Sequence, residues 1–266
     1  MSAIDRLFEQ LRLSGRKALM PFVTAGDPDL QFTAEVIRRL IERGSSICEL
    51  GVPYSDPIAD GPVIQASYTR ALADGIKLGE ILEMAGRLTP ELSAPVVTMV
   101  SYAIVYRRGL EQYVSDAKGS GVAGLIVPDL PVEESGPLSE ICGREDVSLI
   151  QLITPTTPRQ RALRIAERTT GFIYYVSVTG ITGERTELPR DLVDNVAWLR
   201  EQTPLPICIG FGISRPEHVR MLSPVADGLI VGSAIVRRIA ETSAKPRRQV
   251  LAEIGDYVAG LLAAIE

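Results

Sequence analysis

Short apolar runs alternate with longer amphipathic segments along almost the whole chain. Eight runs are rich in Val, Ile and Leu and show little polar alternation, which is typical of strands in a parallel sheet covered on both faces. They comprise residues 18–24, 47–52, 96–100, 124–127, 147–153, 172–178, 206–210 and 228–231. Each run is followed by a segment with apolar residues at helical spacing, so the pattern predicts eight successive strand–helix units.

The predicted helices fill the intervals between these strands. They comprise residues 30–43, 78–88, 110–118, 133–143, 158–168, 191–201, 216–222 and 233–240, with further helices at 4–13, 62–73 and 247–265. Eight units in a chain of this length predict a single-domain (β/α)8 barrel spanning residues 1–266. An extra N-terminal helix and a short additional helix after the second strand complete it. A doubly wound open sheet is the alternative, although it more often has fewer strands.

Composition narrows the class of protein. A net charge of −5 and a pI near 5.2 provide no basic surface for nucleic acid. No apolar run approaches the length of a membrane span, and the first 13 residues lack the apolar centre of a signal peptide. We therefore expect a cytoplasmic protein with neither a nucleic-acid nor a membrane partner.

The cysteines and the single histidine do not indicate a metal site. Cys48, Cys142 and Cys208 lie far apart without a CxxC spacing, and small buried hydrophobic positions explain them best. His218 follows Pro216 at a predicted helix start, where a nucleophile and an orienting acid are not evident. Structural roles are favoured for all four residues, and no metal is expected.

Two acids stand out where a barrel places its chemistry, at the carboxyl ends of the strands. Glu49 interrupts the second apolar run, and Asp60 lies in the Pro/Gly/Asp loop that follows. A carboxylate inside a strand needs a reason, and a second acid nearby suggests acid–base chemistry. Two structural alternatives remain open: an ion pair of Glu49 with a barrel lysine or arginine, and an Asx turn or helix cap at Asp60.

Two glycine motifs predict a phosphate site at the end of the chain. GFGIS at 210–214 follows the seventh strand, and GSAIV at 232–236 follows the eighth and begins a helix. Glycines let backbone N–H groups approach an anion, and barrels bind phosphate at these two loops. A third glycine loop at 178–189 is long enough to close as a lid, although a merely mobile loop is an open alternative.

Together the motifs are similar to those of the tryptophan synthase alpha subunit family. The matching segments are PFVTAGDP at 21–28, ELGVPYSDPIADGP at 49–62, DLPVEE at 129–134, TGITG at 179–183, GFGIS at 210–214 and GSAIV at 232–236. The resemblance implies retro-aldol cleavage of indole-3-glycerol phosphate to indole and glyceraldehyde 3-phosphate. It also implies a beta-subunit partner in an α2β2 heterotetramer, which receives the indole and carries the pyridoxal phosphate; no cofactor is implied for this chain.

The resemblance assigns divided roles to the two acids. Glu49 would carry the proton between the glycerol hydroxyl and indole C3, helped by a pKa that desolvation raises. Asp60, in a polar loop, would stay ionised and bind the indole N–H as positive charge develops. Two carboxylates in different environments are a recurrent arrangement in acid–base catalysis.

Further residues match family positions around the substrate and the partner. The indole-pocket positions are Phe22, Val100, Tyr102, Pro128, Ile153, Tyr174 and Phe211; the lid position is Thr182; the phosphate positions are Gly183, Gly212, Gly232 and Ser233; and the partner-facing positions are Pro53, Asp56, Pro57 and Pro131. One departure lies in the third loop, where Ile104 stands at the usual position of an asparagine. Two alternative functions remain: another phosphate-binding barrel lyase or isomerase, and a non-catalytic activator of a beta subunit.

Overall fold

A computed structural model describes residues 1–57, 60–177, 190–210 and 212–265. Within these ranges, nine parallel strands form one sheet in the order β5-β4-β3-β2-β1-β9-β8-β7-β6. They are β1 (Ala18–Thr24), β2 (Cys48–Gly51), β3 (Val96–Met99), β4 (Val122–Ile126), β5 (Ser148–Ile150), β6 (Leu152–Ile153), β7 (Ile173–Val176), β8 (Ile207–Gly210) and β9 (Gly228–Val231). Because β1 pairs with β9 and only Gln151 separates β5 from β6, the sheet is a nearly closed barrel, which confirms the predicted fold class.

The nine observed strands correspond to eight predicted ones because the fifth is divided. Residues 147–153 were expected as one strand, but the ladder is interrupted at Gln151. β5 pairs with β4 on one side of the interruption, and β6 pairs with β7 on the other. The two halves of the sheet therefore meet at this residue.

The described helices surround the barrel. They are α1 (Ala3–Leu13), α2 (Leu30–Glu42), α3 (Pro62–Ala73), α4 (Leu78–Leu88), α5 (Tyr102–Arg108), α6 (Leu110–Gly119), α7 (Gly136–Arg144), α8 (Arg159–Arg168), α9 (Arg190–Gln202), α10 (Pro216–Leu222), α11 (Ser233–Ala240) and α12 (Arg247–Leu262), with 3-10 turns at Thr89–Glu91 and Glu241–Ser243. None of them is both long enough and apolar enough to cross a membrane.

Three helices differ from the sequence prediction. α5 was not predicted; its start is stabilised where Asp129 accepts hydrogen bonds from Ser101 Oγ and Tyr102 N, both at 2.7 Å. α7 begins at Gly136 instead of Glu133, so Glu133 and Glu134 precede the helix. α3, predicted as a short addition, has 12 residues against the 11 of α4.

Alternate strand residues divide the core into two layers. One set of side chains forms an interior cluster inside the barrel: Ala18, Met20, Phe22, Ile47, Val97, Met99, Ile126, Ile150, Phe172, Tyr174, Cys208 and Ile230. The intervening residues form an outer cluster with the surrounding helices. This division follows from the two-residue side-chain period of a strand in a sheet that is buried on both faces.

Helix α1 closes the amino-terminal end of the barrel. Ser2 and Asp5 form a capping box, with Asp5 N donating to Ser2 Oγ at 3.2 Å, which fixes where the helix begins. Ile4, Phe8 and Leu11 from its apolar face join the interior cluster, and the Phe8 and Phe172 ring centroids are 5.7 Å apart. The apolar face of α1 therefore covers the barrel interior at this end.

Candidate active site

Glu49 lies inside the barrel on β2. It pairs in register with Phe22 of β1 and Val97 of β3, and its side chain is only 2% exposed. Within the described part of the chain, its Oε1 atom has no hydrogen-bond partner and no ion pair includes the residue. The barrel lysine or arginine that could have explained Glu49 structurally is therefore not seen among the described residues.

The environment of Glu49 changes its acidity. Burial is the larger cause, and the nearby charge of Asp60 is the second; together they raise the pKa of the Glu49 carboxyl to about 8. Removing a carboxylate from water disfavours its charged form, as the sequence analysis expected. A carboxyl that exchanges its proton near neutral pH can act both as an acid and as a base.

The surroundings of the Asp60 carboxyl are less polar than the composition of its loop predicts. The carboxyl is half-buried, and burial raises its pKa to about 6 although a hydrogen bond from Tyr54 opposes the rise. The Tyr54 hydroxyl donates to Asp60 Oδ2 at 3.4 Å. The pKa of Asp60 thus lies closer to neutrality than that of an ordinary aspartate, whereas a polar loop predicted an unperturbed one. Its carboxylate does not cap α3, because Gly61 precedes that helix without a side-chain hydrogen bond.

Aromatic side chains fill the barrel mouth beside the two acids. Phe22 lies over Gly51, where an added Cβ atom would come within 2.4 Å of the ring. Tyr174 lies over Gly210 in the same way, with 2.7 Å between its hydroxyl oxygen and the added Cβ. Real Cβ contacts are never so short, so these glycines make room for both predicted pocket residues.

Tyr54 and Tyr68 also belong to this aromatic group, although neither is among the site residues predicted from the sequence. Their ring centroids are 5.5 Å apart, and Tyr68 belongs to the interior cluster together with Ile64. Ile64 and Tyr68 are four residues apart on α3, so they share one helix face. That spacing was the available signal, but it does not distinguish a pocket from a packed core.

The remaining predicted pocket residues lie in other surroundings. Val100 and Ile153 are buried in the outer cluster, and Tyr102 packs against it. Pro128 is half-buried after β4. The structure therefore brings Phe22 and Tyr174 together with Glu49, whereas pocket roles for Val100, Tyr102, Pro128 and Ile153 stay predictions. Phe211 lies outside the described residues, as do the predicted lid residue Thr182 and the phosphate residue Gly183.

The other phosphate residues lie at the ends of β8 and β9. Gly212 has φ of 80°, a left-handed conformation that favours glycine. Gly232 precedes α11 directly, and Ser233 is the first residue of that helix, where N–H groups lack intrahelical partners. The buried His218 accepts a hydrogen bond from Ser214 N at 3.3 Å, so it anchors the loop that contains Gly212.

The predicted partner-facing residues do not share one degree of exposure. Asp56 and Pro131 are exposed, Pro57 is half-buried, and Pro53 is buried. Pro53 lines a groove of about 370 Å³ together with Val52, Ile76, Leu78, Ile81, Ile104, Arg107 and Arg108. Ile104, the departure noted in the sequence, is therefore adjacent to the loop that begins at Pro53.

A buried acid connects α3 to the loop after β1. Asp27 is 2% exposed and accepts hydrogen bonds from Arg70 Nε at 3.0 Å and Arg70 Nη2 at 2.6 Å, and another from Ser67 Oγ. A bidentate arginine–carboxylate pair adds geometric specificity as well as energy. The contact fixes the orientation of the helix that follows Asp60.

No three His, Cys, Asp or Glu side chains of the described residues are grouped so that they could hold a metal ion. All three cysteines are free and buried, and burial raises the pKa of the Cys142 thiol to about 12. These thiols therefore stay protonated at neutral pH.

The chain is similar to one protein family over almost its whole length. A family model described as tryptophan synthase alpha chain matches residues 8–264. The tryptophan synthase alpha chain of Rhodopirellula baltica is 57% identical over 276 residues, which cover 100% of this chain and 99% of the relative.

Solved structures show the same similarity. Tryptophan synthase subunit alpha from Legionella pneumophila is 32% identical with a TM-score of 0.91, covering 100% of this chain and 98% of that one. A chain from a structure on mutual activation of the Pyrococcus furiosus tryptophan synthase a2b2 complex is 39% identical with a TM-score of 0.86, covering 93% and 99%. The likeness to the Legionella chain spans the segments that carry Glu49 and Asp60.

Proposed function

This chain belongs to the tryptophan synthase alpha chain family, and on that premise we propose that it cleaves indole-3-glycerol phosphate to indole and glyceraldehyde 3-phosphate. The observation that carries the proposal is the Glu49 carboxyl, which is buried beside Asp60 and has its pKa raised to about 8. Its Oε1 has no hydrogen-bond partner in the part of the chain that the structure describes. A group in this state can deliver a proton to carbon and recover one from a hydroxyl.

The reaction needs two proton transfers in sequence. Protonated Glu49 delivers its proton to indole C3, and the ring nitrogen becomes positively charged. The Glu49 carboxylate then removes the proton of the adjacent glycerol hydroxyl, the C–C bond breaks, and its electron pair returns to the ring as the aldehyde forms. Ionised Asp60 accepts the indole N–H hydrogen bond and stabilises the intermediate cation. Glu49 ends protonated, ready for another turnover.

The pH dependence of kcat/KM follows from the two acids. Activity requires protonated Glu49 and ionised Asp60, whose pKa values are raised to about 8 and about 6. We expect a bell-shaped profile that loses activity above about pH 8 and below about pH 6, with both apparent values belonging to the coupled pair. Initial rates of indole formation from pH 5 to 10 measure it; a profile flat across this range contradicts the assignment.

The substrate phosphate would bind at the opposite side of the barrel mouth. Gly212, Gly232 and Ser233 supply backbone N–H groups and a hydroxyl, and the N-terminus of α11 adds a partial positive charge. We assign the same role to Gly183, and the role of a lid residue to Thr182. These assignments place the reacting end of the substrate toward Glu49.

The partner of this chain in the cell would be a tryptophan synthase beta subunit. We assign Pro53, Asp56, Pro57 and Pro131 to the contact, since the loop from Pro53 leads directly to Asp60 and can couple partner binding to the site. Pyridoxal phosphate belongs in this proposal to the beta subunit, where indole is joined to serine; this chain carries no cofactor. The whole chain would act as one barrel domain in the cytoplasm.

One assay tests the reaction and the partnership together. The purified chain is supplied with indole-3-glycerol phosphate, with and without a beta subunit, and indole is measured. We expect indole in both cases and faster formation with the beta subunit. Absence of indole under both conditions refutes the reaction, whereas an unchanged rate without co-elution refutes the partnership.

A further inference from the structure

The Tyr68 hydroxyl is buried at the barrel mouth. The side chain is 1% exposed, and no group of the described residues bonds to its oxygen. An unsatisfied buried hydroxyl is costly in a protein interior. The cost is offset if a ligand supplies the missing partner.

The position of this hydroxyl places it beside Glu49. Its oxygen lies 2.8 Å from where a Cβ atom of Gly51 would stand. Gly51 is two residues beyond Glu49 on β2, so both positions point to the same face of the strand. The hydroxyl therefore lies inside the barrel, one step nearer to its open end than the Glu49 carboxyl. Among the described residues, Glu49 Oε1 also has no hydrogen-bond partner.

Two contacts hold Tyr68 in this position. Its neighbours Ser67 and Arg70 both bind the buried Asp27, which fixes α3 against the loop after β1. Its ring packs on Tyr54, whose hydroxyl bonds to Asp60. Tyr68 is thus held in place beside the two acids.

We propose that the Tyr68 hydroxyl is a further substrate-binding group, which hydrogen-bonds the hydroxyl-bearing chain of the substrate next to Glu49. This deepens the proposed function and rests on it. Burial raises the pKa of Tyr68 well above its ordinary value, so the phenol is neutral and can both donate and accept. A polyol chain that passes Glu49 on its way to the phosphate site brings hydroxyls past Gly51. An indole ring offers a single N–H, and Asp60 is assigned to that.

The test distinguishes binding of the substrate's chain hydroxyls from binding of its ring and phosphate. Tyr68→Phe removes one oxygen and retains the ring. Tyr113→Phe is the control for loss of a buried phenol oxygen, because Tyr113 is equally buried but belongs to the outer cluster, away from the barrel interior. KM and kcat are measured with indole-3-glycerol phosphate. Inhibition constants are measured with 3-(indol-3-yl)propyl phosphate, which has the same ring and phosphate but no chain hydroxyls.

We expect Tyr68→Phe to raise KM by about tenfold, since a net hydrogen bond is worth up to about 1.4 kcal/mol, with kcat changed much less. In Tyr68→Phe, the inhibition constant of the propyl phosphate should stay within about twofold of the wild-type value, because that ligand has no chain hydroxyl to lose. In Tyr113→Phe, neither KM nor the inhibition constant should change, because this variant loses no ligand contact. An unchanged KM, or equal weakening of both ligands, overturns the proposal and assigns Tyr68 to packing.

Two further outcomes keep the proposals distinct. If wild-type protein forms no indole and binds neither ligand, the proposed function fails; normal wild-type turnover with an unaffected Tyr68→Phe variant refutes the Tyr68 contact alone. If the variant does not fold, a structure of the wild-type protein with sn-glycerol 3-phosphate decides instead. A Tyr68 oxygen more than about 4 Å from every ligand hydroxyl then refutes the contact, because no hydrogen bond spans that distance.

Discussion

Replacement of Glu49 by Gln is expected to reduce indole formation on the order of 1,000-fold, the typical scale of a lost general acid–base group. Gln has the shape of Glu and fits the same buried position, so the substrate still binds. It cannot deliver a proton to C3 or remove one from the glycerol hydroxyl. The measurement is kcat for indole-3-glycerol phosphate at pH 7, with KM determined alongside; kcat within tenfold of wild type contradicts the assigned role.

The same variant should be more stable than wild type at alkaline pH. The folded protein holds the Glu49 proton up to about pH 8, whereas an ordinary glutamate releases it near 4.5. The folded state therefore binds more protons between these values, so the free energy of unfolding falls as the pH rises through this window. Gln removes this loss, and we expect a gain of about 2–4 kcal/mol at pH 8 and almost none at pH 4.

Urea unfolding at both pH values measures this gain. Glu83→Gln is a suitable control, because Glu83 is exposed and forms an ion pair with Arg87 on the surface of α4. The control should alter both stability and activity little, as surface ion pairs contribute about 0–1 kcal/mol. A Glu49→Gln variant that is inactive and also less stable at pH 8 would indicate a structural defect rather than a lost proton carrier.

Replacement of Asp60 by Asn is expected to lower kcat/KM about 100-fold, since a neutral amide accepts the indole N–H but does not stabilise the cation. The loss is smaller than for Glu49→Gln because proton transfer continues. The acid limb near pH 6 should also disappear, since the coupled pair then has only one titrating carboxyl. Asp74→Asn, at the exposed far end of α3, is the control. Retention of the acid limb in Asp60→Asn would assign that limb to another group.

Periodicity predicted the barrel because each strand is buried on both faces. Val and Ile runs are required wherever a parallel sheet lies between an interior cluster and a helix layer, and these runs are visible in the sequence. The interruption at Gln151 was not visible, because apolar residues continue on both sides of it. Helix α5 was also missed, because its start depends on Asp129, which is 27 residues away from Tyr102.

The candidate site was predictable to the extent that each residue is unusual for its local structure. Glu49 is an acid in an apolar run, and Gly212 and Gly232 are glycines at the ends of strands, so single positions pointed to them. Tyr68 lies on the apolar face of a helix, where a tyrosine is ordinary, so nothing in the local sequence indicates a functional role. Its significance depends on Gly51, which leaves space for the hydroxyl, and on Asp27, which holds the helix in place.

The sequence by itself determined the strand–helix alternation, the carboxyl at position 49 and the glycine loops after the last strands, because each follows from local residue types and spacing. Only the tertiary structure decided the chemical state of the two acids. Burial raises the pKa of Glu49 and Asp60, and the extent of burial depends on side chains from β1, α3 and the neighbouring strands. The same packing buries the Tyr68 hydroxyl, because desolvation depends on all the neighbours of a group in space.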